Sequence, residues 1–289
     1  MEHTGRSRLF MIASMVIFGT VSLFVRYLPI TSGELALCRA VSASVPIGLY
    51  LLFTKKKKPR TAWRRQWLLL MLSGLSLGIN WILLFEAYKH TTVSTATLCY
   101  YFAPVIVTVV SPLIFRERMT KLQALCFVMS TIGLVLITGF RDLGADGIGI
   151  LLGLGAACFY ATVILLNKAI RDVTGLERTL AQFIFAAVAL LPYVLLSGGF
   201  HLSALDAKAW GVLTVVGLVH TALAYCLYFS ALDRLAGQEI AILSYVDPLV
   251  AVIISVFVLS EPITALQVVG GVLILGFSLL NEWKTSTFP

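Results

Sequence analysis

Read as a pattern of apolar and polar positions, the chain is a series of long apolar runs joined by short polar segments. A helix crosses about 30 Å of hydrocarbon with about 20 apolar residues. Ten runs fit that length: roughly 9 to 28, 34 to 53, 66 to 86, 93 to 115, 122 to 140, 147 to 167, 179 to 197, 209 to 230, 238 to 259 and 264 to 281. The joints are too short to hold a soluble catalytic or sensory module. The pattern predicts an all-α integral membrane protein of ten transmembrane helices.

The apolar pattern also repeats. The run from Thr95 to Glu117 is interrupted by Tyr101-Phe102-Ala103-Pro104, and 144 residues later the next copy carries Tyr245-Val246-Asp247-Pro248 and ends at Glu261. Thr120, Leu122 and Gln123 recur as Thr264, Leu266 and Gln267, and ten of the fifty positions from Ala87 to Leu136 are identical at this offset. Matching proline-interrupted membrane helices predict a transporter built from duplicated halves. The expected halves are residues 1–141 and 142–289, with five helices each. Arg6 and Arg8 before the run Leu9 to Val25 resemble a secretory signal, but the run is long enough to span. A second run follows almost at once, and Phe18 and its successors resemble the segment from Phe159, 141 residues on.

Composition strengthens the membrane reading. Hydrophobic residues make up 59% of the chain and charged residues 12%, with mean hydropathy +0.93, too few polar groups to cover a water-soluble surface. A net charge of +8 would suggest nucleic acid for a soluble domain. Here the basic residues gather in loops, so they orient the chain in the bilayer and no nucleic-acid partner is expected. Lys55, Lys56, Lys57, Lys58, Arg60, Arg64 and Arg65 mark a cytoplasmic loop, and alternate loops follow with Arg116, Arg118 and Lys121, then Lys168, Arg171 and Arg178. Both termini are thereby expected in the cytoplasm. Five helices per half invert the second copy, and Arg116-Glu117-Arg118 becomes Ser260-Glu261-Pro262, keeping the glutamate and losing both arginines. The five cysteines lie singly in apolar runs without metal spacing, so neither metal nor cofactor is expected.

An ionisable residue at the centre of a membrane helix costs about 2.5 to 3.5 kcal/mol on insertion scales, so each one calls for a reason. Asp247 lies in mid-helix before Pro248; it is a coupling candidate, able to bind a proton in one conformation and release it in another, and the bland alternative is a bond to Ser244 that steadies the kink. Tyr101 and Tyr245, each one turn from Pro104 or Pro248, either line a shared cavity or pack against neighbouring helices. His220, with Tyr225 and Tyr228 after it, aligns with the polar neighbourhood of Asn80 and Trp81; it is read as a proton relay or substrate-orienting group, or as an interhelical bond. Glu239 suits the dipole of a helix start. Arg39 is expected to reach the outer surface or to pair with Glu34. Glu117 and Glu261 are expected to cap the helices that follow them.

The Pro104/Glu117 and Pro248/Glu261 pairs, in two five-helix repeats, resemble the EamA family of the drug/metabolite transporter superfamily. The resemblance covers nearly the whole chain. It implies ten helices, cytoplasmic termini and export of amino acids or other small metabolites across the bacterial inner membrane. Members often carry Glu-Pro where this chain has Asp247-Pro248, so the charge is kept on a shorter arm. The expectation is therefore a secondary transporter, not an enzyme, working by alternating access around a central cavity. Its partners are a small-molecule substrate, the lipid bilayer and, if transport is coupled to them, protons, and it acts as a monomer or homodimer. Two alternatives stand beside it: a nucleotide-sugar exchanger, which needs deep basic residues, and a membrane enzyme acting on lipid intermediates, which needs a cluster of acids or histidines at one interface.

Overall fold

A computed structural model describes residues 2–53, 61–116, 119–138, 145–170, 173, 175–232, 235 and 237–287. The loop of lysines at 55–58, Glu117, Arg118 and Arg171 lie outside the described residues. Among the described residues the regular structure is entirely helical, with no strand. Seven segments are long and apolar enough to cross a membrane, and three further apolar helices, Lys121–Ile137, Ile242–Val258 and Ala265–Asn281, are shorter. Together these segments correspond in position to the ten apolar runs.

The first half begins with α1 (Glu2–Arg26), α2 (Ser32–Phe53) and α3 (Thr61–His90). Its interrupted run is a pair, α4 (Val93–Tyr100) and α5 (Ala103–Phe115), followed by α6 (Lys121–Thr138). The second half holds α7 (Ala145–Ala169), α8 (Gly175–Leu196) and α9 (Ala207–Gly217), which passes through a π-turn segment, Leu218–Leu223, into α10 (Ala224–Leu232). Then come α11 (Gly237–Ser244) and α12 (Val246–Ile253), a second π segment, Ile254–Val258, and α13 (Ala265–Thr287).

Local chemistry sets these boundaries. Thr31 and Glu34 form a reciprocal cap on α2: the Thr31 N–H donates to Glu34 Oε2 at 2.9 Å and the Glu34 N–H to Thr31 Oγ1 at 3.1 Å. Thr120 with Gln123 caps α6, and Thr264 with Gln267 caps α13, with the same pair of bonds at 2.8 and 3.2 Å in each. Pro104 and Pro248 do not sit inside continuous helices. Each occupies the first turn of its second segment, α5 or α12, where a missing N–H is no loss. The chain leaves α5 through Arg116 at φ 55° and passes Ser260, 144 residues later, at φ 54°.

Helix contacts cross between the halves and pair up when corresponding helices are exchanged. Helix α3 packs on α7 as α1 packs on α10; α4 and α5 pack on α7 as α11 and α12 pack on α1. Helices α2 with α8 and α6 with α13 meet their own counterparts, and α4 of the first break packs on α12 of the second. The α6–α13 crossing is very close, since a Cβ on Gly133 would lie 2.6 Å from the Gly270 carbonyl oxygen and one on Gly270 2.5 Å from that of Gly133. Small residues allow such approach between membrane helices.

Candidate functional site

A cavity of about 240 Å³ lies where these crossings converge. Helix α1 supplies Met15, Phe18 and Val21; α3 supplies Leu77, Trp81, Leu84, Phe85 and Tyr88; α7 adds Tyr160, and α10 adds Tyr225 and Tyr228. The two interrupted helices contribute Thr97, Tyr100 and Tyr101 from the first half and Ser244 and Asp247 from the second, and Arg39 enters from α2. The walls are therefore mainly aromatic, with one acid and one strong base among them.

Asp247 accepts a hydrogen bond from the Tyr101 hydroxyl at 2.7 Å. The anticipated Ser244 bond is not made, because Ser244 Oγ donates to the Ile240 carbonyl one turn back at 2.8 Å. The broken first-half helix thus holds the acid of the broken second-half helix. Gly19 of α1 makes this junction tight: a Cβ there would lie 2.6 Å from the Asp247 carbonyl oxygen.

Of the two tyrosines related by the repeat, Tyr101 lines the cavity and Tyr245 does not. The Tyr245 ring lies 6.3 Å from that of Tyr101 and borders a separate apolar recess with Leu249, Val252 and residues of α13. The reason is helical spacing. Ser244 and Asp247 are three residues apart and share a face, whereas Tyr245 is turned about 100° from Ser244. At the breaks themselves, the repeat-related positions that both face the cavity are Tyr100 and Ser244, whose carbonyls lie four residues before Pro104 and Pro248 and receive no N–H from either proline.

The remaining candidates divide between wall and scaffold. Trp81 and Tyr225 are wall residues. Phe183 braces both, with ring centroids 5.6 Å from Trp81 and 5.1 Å from Tyr225. Asn80 is fully buried on α3 and donates to the Ala156 carbonyl of α7 at 2.7 Å, away from the cavity. His220, only 2% exposed in the first π segment, bonds Thr20 of α1 at 2.9 Å, and its ring centre lies 4.6 Å from that of Phe24 with the planes tilted by 56°. It ties α1 to the second half outside the cavity wall.

Two further expectations need correction. Arg39 neither reaches the surface nor pairs with Glu34: it is 5% exposed, with its guanidinium 5.0 Å from the Trp81 ring centre and 5.3 Å from that of Phe85. Glu34 is taken by its cap on Thr31 and by the backbone N–H and ring of His201, a partner 167 residues away that no local pattern reveals. Glu261 does not cap the following helix, a task done by Thr264 and Gln267. Its carboxylate accepts from the Val93 N–H at 2.7 Å at the start of α4, from Ser255, and pairs with Arg26 at the end of α1. Glu239 stands at the start of α11 and is paired with Arg8.

The model of the EamA-like transporter family matches this chain twice, over residues 6–139 and again over 147–282. The chain belongs to the EamA-like transporter family. Among relatives of this EamA-like protein, "Uncharacterized transporter YxxF" of Bacillus subtilis (strain 168) is 29% identical over 253 residues, covering 84% of this chain and 79% of the relative. An "Uncharacterized transporter" of Archaeoglobus fulgidus is 28% identical, with 94% of each chain covered. "Protein PecM" of Dickeya dadantii (strain 3937) is 24% identical over 85% of this chain and 82% of its own. A solved crystal structure shares the fold with a TM-score of 0.59 at 16% identity, covering 94% of this chain and 95% of that one. Family membership and the apolar helices make this a multi-pass membrane protein of the transporter class.

Proposed function

We propose that this EamA-like chain is a secondary transporter that exports small metabolites such as amino acids by alternating access around the cavity between its halves. The observation that carries the reading is the cavity itself: helices of both halves wall a small space in which an acid and a base stand among aromatic rings. A carrier needs its site where two similar halves meet, because rocking one against the other then exposes the site to each side in turn.

In this reading the ten helices form two inverted five-helix repeats, with both termini and the loop of lysines at 55–58 on the cytoplasmic side of a bacterial inner membrane. The doubled family match, the matched caps and the exchanged helix contacts support it. No Gly-Lys-Ser/Thr phosphate loop occurs in the sequence, so in this reading the energy comes from an ion gradient or from the substrate's own. Asp247 carries the proton if protons are coupled, and Tyr101 holds it in place.

Flux through proteoliposomes tests the reading. Purified protein should move radiolabelled members of an amino-acid and metabolite panel without ATP. Turnover of a lipid intermediate with no solute flux would favour the enzyme alternative instead. Single-cysteine labelling, in a background without the five native cysteines, should find the segments 55–65 and 200–208 on opposite sides. Labelling of both from one side would end the inverted-repeat assignment.

A further inference from the structure

The buried base of the cavity is met by aromatic faces and, among the described residues, by no acid or acceptor within bonding distance. Arg39 makes no ion pair and no hydrogen bond among the described residues, and its Nε is buried without a partner. The carboxylates that would satisfy it are engaged elsewhere, Glu34 by Thr31 and His201, and Asp247 by Tyr101. Two aromatic faces, Trp81 and Phe85, fix the guanidinium and compensate only part of its lost hydration. A buried charge held in this way calls for an anion from outside the protein.

We propose that Arg39 is the anion anchor of the cavity and that the transported solute is a compact monocarboxylate whose carboxylate docks on the guanidinium. The inference rests on the transporter reading and narrows it to a substrate class. The planar fork of an arginine matches the two oxygens of a carboxylate. A phosphate fits less well, since the cavity offers one guanidinium and sets Asp247 within electrostatic reach of it, so a second negative charge on the ligand would be repelled. Size points the same way. The cavity, about 240 Å³, lies below the roughly 300 to 1,000 Å³ usual for the sites of drug-sized ligands. The stacked Tyr100 and Tyr160, with ring centroids 5.2 Å apart, give an apolar body a flat wall. A solute that also carries an ammonium group finds Asp247 in the same space.

Thermal stabilisation of the purified protein in detergent tests this, using matched pairs of an acid and its primary amide: isovalerate and isovaleramide, phenylacetate and phenylacetamide, L-leucine and L-leucinamide, with inorganic phosphate alongside. At least one acid should stabilise the wild type while its amide does not, because a ligand of the folded state alone raises its stability. Arg39→Lys keeps the charge without the fork and should weaken that binding tenfold or more, and Arg39→Met should remove it. Size-exclusion chromatography and helical circular dichroism establish that each variant is folded; if Arg39→Met is not, the acid and amide pairs and Arg39→Lys decide. Equal stabilisation by acid and amide, undiminished binding in a folded variant, a larger response to phosphate, or no response of the wild type to any acid overturns the proposal. Flux separates it from the broader reading. Transport indifferent to carboxylates sinks the anchor alone, whereas carboxylate binding through Arg39 without flux keeps the anchor and sinks the transporter reading together with the claim that the carboxylate is transported.

Discussion

The two halves differ most where they correspond most closely. Both interrupt a helix around a tyrosine and a proline. The first break has Ala103 where the second has Asp247, so the acid is supplied once, and the first half answers with the Tyr101 hydroxyl. On the helices that flank the breaks, Gly19 of α1 lets the Asp247 backbone approach, while at the 141-residue offset α7 carries Tyr160, which fills the cavity beside Tyr100. The π segments, among the described residues, also fall in the second half. Duplication supplies the architecture, and divergence at a few facing positions turns two similar halves into one asymmetric site.

The turns show the same divergence. Glu261, 8% exposed, gathers Arg26, Ser255 and the start of α4. In the first half Ser111, which matches Ser255, takes a bond from the exposed Lys168 of α7 at 2.9 Å. Removing the buried acid should therefore do the larger damage. Glu261→Ala is expected to destabilise the protein by about 3 kcal/mol, the lower end for breaking a buried pair, while Lys168→Met should cost under about 1 kcal/mol. Equal losses of thermal stability in detergent would mean the two turns are not differently built.

Next in size is the tyrosine comparison. Tyr101→Phe removes a hydrogen bond to a carboxylate, worth about 2 kcal/mol, and should alter the response of transport to pH while leaving the fold intact. Tyr245→Phe, on the far side of its break, should leave transport within about twofold. The reverse ranking would place the wrong tyrosine at the site. Smallest is Gly19→Ala, which should push α1 from α12 and cost about 1 kcal/mol by overpacking; Gly5→Ala on the same helix, with open space around it, should be neutral. Thermal unfolding of the two variants measures the difference.

Much of the fold was legible because its signals are local. Apolar runs gave the helices, and the recurrence of Thr120 and Gln123 as Thr264 and Gln267 was visible, although the capping these pairs perform was assigned to Glu117 and Glu261. What was missed depended on distant partners. Arg39 read as a snorkelling residue because Glu34 stands five positions before it, and only the fold brings His201 to that glutamate. Glu261 read as a local cap, yet its partners are 235 and 168 residues away in sequence, at Arg26 and Val93. Tyr245 was chosen because it repeats, whereas the cavity selects by face, and Ser244 with Asp247 occupies the face that counts.

The central claim is that the single acid at the second break couples transport to protons, and one substitution tests it directly. Asp247→Asn is nearly isosteric, keeps an acceptor for the Tyr101 hydroxyl and removes the proton-binding charge. In proteoliposomes with an imposed pH gradient, the wild type should accumulate substrate according to the direction of the gradient. The variant should bind the same substrate, remain folded, and move it only down its own concentration gradient, at a rate indifferent to pH. If Asp247→Asn still concentrates substrate with an unchanged response to the gradient, Asp247 is a structural residue of the break and the account of coupling fails.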